Sequence, residues 1–545
     1  MKKRTIIKVI FASVAIVIAT SCAKNLDLFP QNDLTPDKAF STAEGYKSVL
    51  AKAYGVLSVS GNNGPDSQSD LGGGLDGGSQ VAFIRMFFNC EELPTDEAIV
   101  AWNDQTIHDF HDLKWTSNDY FLKGIYARAI YNITLINEYL RESTDGKVAS
   151  RGITGAAASD IKNSRAEVRF LRAFNYWVMM DIFGKSTFIT EDDGIGTFLP
   201  KEISRDSLFV YIEKELKAID GDLAPAKTAE YGRVDQSAAW ALLARIYLNA
   251  AVYTKTSRYD DAVTYAKKVI EAGYSLQVGP NAYFKLFMAD NDKYTNEIIW
   301  AINCDGAKTQ AYGNTTFFIH AASGKDFADY GTSGGWLGYR ATSAFGDKFP
   351  KTGSGNIDTT KDDRGKAFYT SKYSGTPAQG AINTFADVSS FETGYHIKKY
   401  VNIRSDGAAV SDPTKAYSDI DFPVFRLSEM YLIYAEAVLR GATTGDEGTA
   451  LNYVNLIRSR ANAAPFNTSG LTLQSILDER ARELFWEAHR RTDLVRYDML
   501  TTSTYLWPWK GGIAAGNSVE SKYNLFAIPS DNRTANPNLT QNIGY

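Results

Sequence analysis

Apolar residues recur at helical intervals in two separate stretches of the chain, and each stretch fits a pair of packed helices. In the first stretch, a helix with large apolar residues precedes a helix with smaller ones. These residues are Trp240, Leu243, Ala244 and Tyr247, then Ala262, Ala266 and Val269. The first four reproduce the spacing of a tetratricopeptide helix, where small residues let two helices approach closely. The stretch therefore predicts a helical hairpin, with a loop about six residues longer than the tetratricopeptide standard.

A degenerate copy of this pattern lies towards the C-terminus. Its apolar residues are Tyr431, Tyr434, Ala435 and Val438 on the first helix and Ala450, Val454 and Ile457 on the second. A further apolar-striped stretch, Arg165 to Phe183, predicts another helix of the same scaffold. Two copies with matching spacing favour repeat-like helix pairs over unrelated hairpins.

Between the helical parts the helical period disappears. The segment from Asp305 to Pro423 is rich in Gly, Thr, Ser, Asp and aromatic residues, which predicts loops and short strands. The stretches from Thr315 to His320 and from Tyr395 to Ile403 are examples of the predicted strands. The chain is thus predicted to be helical in two flanking parts, with an irregular insert between them.

The first predicted helix begins at Thr35 and runs to Leu57. Pro36 at its first position and Asp37 in its first turn are both typical of a helix start. The stretch from Gly61 to Gly78 that follows contains seven Gly, so it predicts a long loop. Loops of this length inside a compact protein are usually functional or disordered.

A long charged helix is predicted from Ile476 to Met499. Glu483 and Glu487 lie on one face of this helix and could be taken for the carboxylate pair of a glycosidase. The surrounding arginines would keep both carboxylates ionised, whereas a general acid needs a raised pKa. A structural role for the two residues is therefore favoured.

The composition indicates a globular protein with an unusual number of aromatic rings. The chain has 545 residues, of which 44% are hydrophobic and 22% charged. Three Cys exclude a disulfide scaffold, five His argue against a His-built metal cluster, and a net charge of −5 argues against nucleic acid as a partner. With 9 Trp, 31 Tyr and 29 Phe, flat amphipathic rings are the feature that needs a functional explanation.

The N-terminus is predicted to be a lipoprotein signal peptide, residues 1–21. A positive start is followed by an apolar run from Val9 to Ala19, which is too short to cross a bilayer. The small residues just before Cys22 predict cleavage there and lipid attachment to its thiol, in preference to ordinary cleavage. Loss of the signal peptide would change the net charge from −5 to −9.

Trp102 and Trp336 are the rings best placed for ligand binding. Trp102 is followed by polar residues, and Trp336 follows Ser333, Gly334 and Gly335. The apolar C–H faces of sugars stack on such rings, while neighbouring polar groups bind the hydroxyls. For any single aromatic residue, burial in the core is the more frequent alternative.

No catalytic motif, cofactor fingerprint or metal motif occurs in a credible context, so no cofactor is predicted. Asp66, Asp70 and Asp76 could bind a structural calcium ion, but their spacing is not that of an EF-hand. Cys90 and Cys304 could pair in an oxidising compartment, and two buried free thiols are slightly favoured over that pairing.

The order of several short motifs along nearly the whole chain resembles the SusD/RagB family of outer-membrane glycan-binding lipoproteins. The stretches that carry the resemblance are Cys22, Leu26 to Gln31, Thr95 to Ala98, Ala166 to Ala173, Ala241 to Leu248, Phe425 to Glu429, Tyr434 to Ala437, Glu479 to Leu494 and Ile528 to Tyr545. No single motif decides the matter, but their order is highly specific.

The resemblance implies a mainly α fold, with tetratricopeptide-like helix pairs as a scaffold and a large irregular insert of loops and short strands. It implies a non-catalytic lipoprotein on the cell surface, anchored in the outer membrane through Cys22. Such a protein captures oligosaccharide or polysaccharide and delivers it, as a lid, to a SusC-like TonB-dependent transporter. The site residues that it implies are Trp102, Trp336, Tyr339, Asp70, Asp76, Cys304, Arg364 and Tyr395.

Two alternatives stay open at the level of sequence: a peptide-binding member of the same family and, less favoured, a glycoside hydrolase. Tyr and Trp hold peptides as well as sugars. The predicted parts of the chain are a signal peptide at 1–21, a lipid-anchored tether at 22–36, an N-terminal helical part at 37–304, a ligand-binding insert at 305–423 and a C-terminal helical part at 424–545.

Overall fold

Helices dominate the fold, as the sequence predicts. A computed structural model describes residues 35–66, 69–75, 77–104, 106–194, 196, 198–369 and 387–545. The helices before the insert are α1 (Pro36–Ala39), α2 (Ala43–Gly55), α3 (Phe83–Glu91), α4 (Ile107–His111), α5 (Tyr120–Glu142), α6 (Asp145–Ser150), α7 (Gly155–Ile182), α8 (Arg205–Ala218), α9 (Gln236–Leu248), α10 (Ala250–Thr254), α11 (Tyr259–Glu271) and α12 (Ala282–Lys285). The remaining helices are α13 (Thr315–Ala321), α14 (Ser343–Gly346), α15 (Leu427–Leu439), α16 (Glu447–Arg460), α17 (Leu473–Leu484), α18 (Arg490–Arg496) and α19 (Ser530–Ala535).

The strands of the described part are short and form antiparallel pairs: β1 with β5, β2 with β3, β4 with β8, and β6 with β7. They are β1 (Ile99–Val100), β2 (Lys185–Phe188), β3 (Lys201–Ser204), β4 (Ile298–Ile302), β5 (Tyr339–Arg340), β6 (Phe368–Tyr369), β7 (His396–Ile397) and β8 (Phe422–Arg426). Short 3₁₀ helices lie at Asn291–Lys293, Phe327–Tyr330, Asp363–Ala367, Thr468–Gly470, Lys510–Gly512 and Ser521–Asn524.

Both helix pairs predicted from the sequence are present. Helix α9 packs on α11, and α15 packs on α16. Helix α11 also packs on α15, so the two pairs lie side by side although the insert separates them in sequence. The predicted stretch from Arg165 to Phe183 lies almost entirely in α7, which packs on α5 and α8. The mainly α fold built on helix pairs is therefore confirmed.

Pairing of β4 with β8 closes the irregular insert at its base. The strand that enters the insert and the strand that leaves it run antiparallel, with Ile302 opposite Phe422 and Ile298 opposite Arg426. The insert therefore returns to the scaffold where it departs. The pair of β4 and β8 thus holds the two ends of the insert together.

One strand prediction in the insert is wrong. The stretch from Thr315 to His320 forms helix α13, because the side chain of Asn314 caps its first turn by accepting a hydrogen bond from the Thr316 backbone N–H at 2.9 Å. Its apolar residues are buried, and a buried short helix cannot be told from a buried strand by periodicity alone. The other predicted strand, Tyr395 to Ile403, contains β7 and two isolated β-bridges, from Tyr395 to Ala341 and from Val401 to Met288.

The predicted charged helix from Ile476 to Met499 is broken into α17 and α18. Between them, Trp486 and Ala488 have φ angles of 60° and 62°, which end the helix. The indole of Trp486 is 1% exposed and donates to the Glu97 carbonyl at 2.8 Å, while the Tyr400 hydroxyl donates to the Trp486 carbonyl at 3.0 Å. Tertiary hydrogen bonds thus replace those of a continuous helix.

The predicted first helix is also divided, into α1 and α2. The Thr42 side chain caps α2 by accepting a hydrogen bond from the Gly45 backbone N–H at 3.1 Å. A Cβ at Gly45 would lie 2.0 Å from the Ala39 carbonyl oxygen, so the turn between the two helices requires glycine there.

A buried ionic cluster joins the insert to the C-terminal helices. Arg364 is fully buried and contacts Asp362 at 2.7 Å, Glu479 at 2.8 Å and Glu483 at 3.0 Å. Arg426 at the end of β8 contacts Glu487 at 2.6 Å. The arginines outweigh burial and lower the pKa of Glu483 to about 2, so this residue stays ionised, as the structural interpretation predicted.

No helix among the described residues is long and apolar enough to cross a membrane. The predicted signal peptide and Cys22 lie outside the described residues.

Candidate functional site

A two-residue strand pair brings the two predicted tryptophans together. Strand β1 leads into Trp102, and β5 follows the loop that carries Trp336. The Trp102 indole N–H donates to the Trp336 carbonyl at 2.7 Å, and the two ring centroids are 6.4 Å apart. A Cβ at Gly338 would lie 2.4 Å from the Trp102 ring, so this position must be glycine for the ring to lie where it does.

Trp336 is held by a histidine that stacks on one of its faces. The His320 ring lies 4.5 Å from the Trp336 ring at an interplanar angle of 18°. Its two ring nitrogens lie 2.6 Å from the Gly334 carbonyl oxygen and 3.0 Å from the Ala416 carbonyl oxygen, and burial lowers its pKa. The histidine thus acts as a fixed support beneath a half-buried tryptophan.

Two tyrosines from distant segments extend the aromatic surface. Tyr312 lies 5.8 Å from Trp336 and 5.0 Å from Tyr417, measured between ring centroids. All three rings are half-buried. Tyr312 lies in an aromatic-rich stretch, but the sequence analysis did not name it as a ligand-binding residue. No local sequence pattern indicates Tyr417, which is distant from Tyr312 in the chain.

The rings of Trp336, Tyr312 and His320 border a cleft of about 380 Å³. Its lining combines aromatic rings with small polar groups and one carboxylate: Asp66, Ser79, Tyr312, His320, Ser333, Gly334, Trp336 and Ala416. A half-buried ring beside hydroxyl, carboxylate and backbone groups is the arrangement that a sugar needs, with a C–H face on the ring and hydroxyls on the polar atoms.

Arg85 lies behind the cleft and was missed by the sequence analysis. Its guanidinium lies 4.7 Å above the Phe317 ring and 5.7 Å above the Trp102 ring. Burial lowers its pKa, while the carboxylates of Asp104 and Asp66 act in the opposite direction. Its Nε has no hydrogen-bond partner among the described residues, so a polar donor remains unsatisfied beside Trp102.

Tyr339 lies beneath the site rather than on its surface. Its ring meets Trp102 edge-on at 5.4 Å, and its hydroxyl donates to Asn89 Oδ1 at 2.7 Å. The residue is 1% exposed. It can therefore position Trp102, but its side chain does not reach the cleft.

Three further predicted residues are not brought to the cleft, because each is committed elsewhere. The guanidinium of Arg364 is enclosed in the ionic cluster. Tyr395 is buried against Gly346, where a Cβ would lie 2.3 Å from its ring. Cys304 is buried, with its sulfur 3.5 Å from the Ser58 hydroxyl oxygen.

Of the predicted loop acids, Asp70 forms an ion pair with Lys52 and does not line the cleft, whereas Asp66 does. Asp76 lies outside the described residues. Within the described residues, no group of three or more His, Cys, Asp or Glu is arranged to hold a metal ion. The structure therefore adds no support for the calcium site.

The two described cysteines are free and buried, which confirms the slightly favoured alternative. Burial raises the pKa of Cys304 to about 11 and raises that of Cys90 well above its usual range. Neither thiol is a nucleophile at neutral pH.

Comparisons with a family model and with known protein sequences all point to the SusD family. A model of the SusD family matches residues 296–545. The starch-binding protein SusD of Bacteroides thetaiotaomicron is 37% identical over 583 aligned residues, covering 100% of both chains. A SusD-like protein of Formosa agariphila is 26% identical and covers 92% of this chain and 91% of its own.

Solved structures share the fold. A SusD superfamily protein of Parabacteroides distasonis superposes with a TM-score of 0.67 at 24% identity, over 92% of this chain and 99% of its own. The surface glycan-binding protein A of B. thetaiotaomicron, solved with laminarihexaose, superposes with a TM-score of 0.68 at 19% identity, over 92% of this chain and 99% of its own.

Proposed function

Because the chain belongs to the SusD family, we propose that it is a non-catalytic glycan-binding protein whose ligand occupies the aromatic cleft. The observation that carries the proposal is the cleft lined by the half-buried rings of Trp336 and Tyr312. Trp102 and Tyr417 pack beside these two rings, with centroid distances of 6.4 Å to Trp336 and 5.0 Å to Tyr312 respectively. Rings held by packing beneath them are preorganised, so little conformational entropy is lost when a sugar stacks on them.

The charge around the cleft favours a neutral glycan. Asp66 lines the cleft, Asp104 is exposed and interacts with Arg85, and the cleft lining contains no lysine or arginine. An anionic sugar would meet the Asp66 carboxylate in the cleft, whereas the guanidinium of Arg85 is buried behind the rings and does not line the cleft. The 37% identical relative is named for starch binding, which supports a neutral glucan as the ligand of this chain.

The cleft supports binding without cleavage. A glycosidase needs two carboxyl groups on either side of the scissile bond, one of them with a raised pKa. Among the described lining residues only Asp66 carries a carboxylate. Glu483 and Glu487, the pair that the sequence offers, are buried in the ionic cluster instead.

The cellular role that we propose is capture at the cell surface. Lipid on Cys22 would anchor the protein in the outer membrane, and a SusC-like TonB-dependent transporter would receive the glycan beneath it. This step is tested by isolating outer membranes and purifying the protein through an affinity tag. Absence of a transporter among the co-purified proteins would contradict the partnership, but not the binding activity.

Calorimetry against starch-derived, β-linked and charged polysaccharides, together with a peptide mixture, tests the binding activity. We expect Trp336→Ala to weaken the best ligand about thirtyfold, the size of an interface hot spot near 2 kcal/mol. Trp102→Ala should weaken it as well. Trp240→Ala is the matched control, because Trp240 is also half-buried but lies in a helix pair, with its indole bonded to Asp220 at 2.6 Å.

Three results would contradict the proposal. The first is unchanged affinity in both cleft variants, which would place the site elsewhere. The second is a preference for peptides, which would favour the peptide-binding alternative. The third is release of reducing ends from the bound polysaccharide, which would show turnover.

A further inference from the structure

A second cavity of about 320 Å³ lies between helix α2 and the segment 230–233. Its floor is apolar and includes Leu57, Trp300 and Ile302, and the half-buried rings of Tyr54 and Tyr231 stand beside it. A cavity of this size with aromatic walls is typical of a small-molecule binding site. None of its lining residues belongs to the aromatic cleft.

The two tyrosine rings of this cavity are fixed in place. The Tyr54 hydroxyl donates to Glu167 at 2.7 Å and accepts from the Val234 backbone N–H at 3.1 Å. The Tyr231 hydroxyl donates to Asp421 at 2.5 Å. Because their hydroxyls are held by the protein, the rings present a preorganised apolar surface to the cavity.

Polar side chains stand at the mouth of the cavity. Lys47, Glu230 and Asn303 are exposed, and within the described part of the chain no side-chain hydrogen bond or ion pair engages them. Amide, carboxylate and ammonium groups around an apolar floor offer donors and acceptors to the hydroxyls of a sugar whose C–H face lies inward.

A single loop connects this cavity to the aromatic cleft. Asn303 and Thr309 line the cavity, and Tyr312, three residues after Thr309, lines the cleft. Three residues span at most about 11 Å, so the two sites border opposite ends of one short segment. The Tyr312 backbone N–H also donates to the Pro65 carbonyl at 3.4 Å, next to Asp66 of the cleft.

We infer that the cavity is an additional subsite for the same neutral glycan, occupied by a hexose unit of a chain that extends out of the aromatic cleft. This inference rests on the proposed function. It adds that the protein distinguishes glycans by length, because a short oligosaccharide fills only the cleft whereas a longer one reaches both.

Filling the cavity from its rim tests the inference. Ala51 is exposed on α2 and lines the cavity, so Ala51→Phe would occupy it with little cost to the core. We expect calorimetry to show about a tenfold loss of affinity for maltoheptaose, the equivalent of one less buried sugar face, and an unchanged affinity for maltotriose. Asn303→Ala should reproduce the length-dependent loss in weaker form.

The matched control is Ala149→Phe, the same substitution at an exposed position of helix α6 that lines neither site. If maltoheptaose binds Ala51→Phe as tightly as it binds the wild type, while Trp336→Ala weakens binding as expected, the subsite is disproved and the proposed function stands. If the wild type binds neither oligosaccharide, the glucan assignment itself fails, and the subsite fails with it.

Discussion

In the helical scaffold, charged and aromatic side chains have their hydrogen bonds and ring contacts satisfied by one another, whereas in the cleft part of the surface of such side chains stays exposed. Arg245 in α9 makes hydrogen bonds to both oxygens of Glu429 at 2.7 Å, and its guanidinium lies 4.3 Å above the Phe425 ring. Trp336 in the cleft has His320 on one face and remains half-buried. Residue type alone therefore does not separate structural residues from ligand-binding residues in this protein. The two groups differ in how completely the protein itself contacts each side chain.

The difference has a physical basis in desolvation. A charge taken out of water must be fully paired, and removing one partner is costly because the others are left buried and unpaired. A half-buried ring has no such requirement, since its apolar face can exchange water for a sugar at little cost to the fold. The two regions should thus respond to mutation in different observables.

The largest effect is expected from Glu483→Gln. Glu483 contacts Arg364 at 3.0 Å and Arg426 at 2.5 Å, and it also pairs with Arg460. Loss of its charge removes a carboxylate that three arginines with buried side chains share and leaves excess positive charge in the interior, so we expect a loss of about 3–5 kcal/mol in the free energy of unfolding. Urea denaturation measures it, with Lys267→Ala in an exposed ion pair as a control that changes little. A loss no greater than that of the control would show that the cluster is dispensable.

Gly338→Ala is expected to have an intermediate effect, and it should change both the stability of the fold and the affinity for glycan. The added Cβ would lie 2.4 Å from the Trp102 ring, so the ring must move out of its place beside Trp336. We expect a cost of about 1–3 kcal/mol in stability from overpacking, together with weaker glycan binding in calorimetry. The control is Gly353→Ala, where a Cβ has nothing within 4 Å. Unchanged ligand affinity in Gly338→Ala would mean that the position of Trp102 does not matter.

The sequence predicted the scaffold better than the cleft, because the two regions depend on contacts of different range. The spacing of Trp240, Leu243 and Tyr247 is a local signal, and it located α9 correctly. Tyr417 packs on Tyr312, and Arg85 lies over Trp102, only through the tertiary fold, and no spacing along the chain marks either residue.

In two places, contacts between residues that are distant in sequence give a structure that the sequence analysis did not predict. The continuous charged helix ends at Leu484 because the buried indole of Trp486 and the hydrogen bond from Tyr400 outweigh local helix propensity. The resemblance implies Arg364 as a ligand-binding residue, but its partners Glu479 and Glu483 come from a helix that is distant in sequence and enclose it. Patterns in the sequence predict local structure, but they do not show which side chains are enclosed by partners from distant parts of the chain.

A smaller effect is expected from pH, at the segment that leads from the scaffold to Trp102. Burial raises the pKa of Glu97 to about 8 and raises that of the neighbouring Glu92. The folded chain therefore retains a proton that the unfolded chain releases above about pH 4.3, so this part of the stability is lost as the pH rises from about 4.3 to about 8. The lowered pKa of Glu483 acts only below that range.

Glu97→Gln isolates this contribution, because the amide cannot ionise. We expect the difference in stability between the variant and the wild type to shift in favour of the variant between pH 5 and pH 8, as measured by thermal unfolding. Equal pH profiles for the two proteins would show that Glu97 carries no raised pKa. Glycan affinity at pH 5 should be the same in both, since Glu97 is buried and does not line the cleft.

The smallest effect is expected from Asp70→Asn. This variant tests whether the family resemblance or the observed geometry correctly describes the role of Asp70. The resemblance implies Asp70 as a ligand residue, whereas the structure pairs it with Lys52 outside the cleft. We expect less than about a twofold change in glycan affinity and a loss of at most about 1 kcal/mol in stability, since the pair is only partly buried. Asp66→Asn, at a cleft-lining residue, is the matched comparison and should weaken binding more. A larger loss of affinity in Asp70→Asn than in Asp66→Asn would mean that Asp70 contacts the ligand in spite of its ion pair with Lys52.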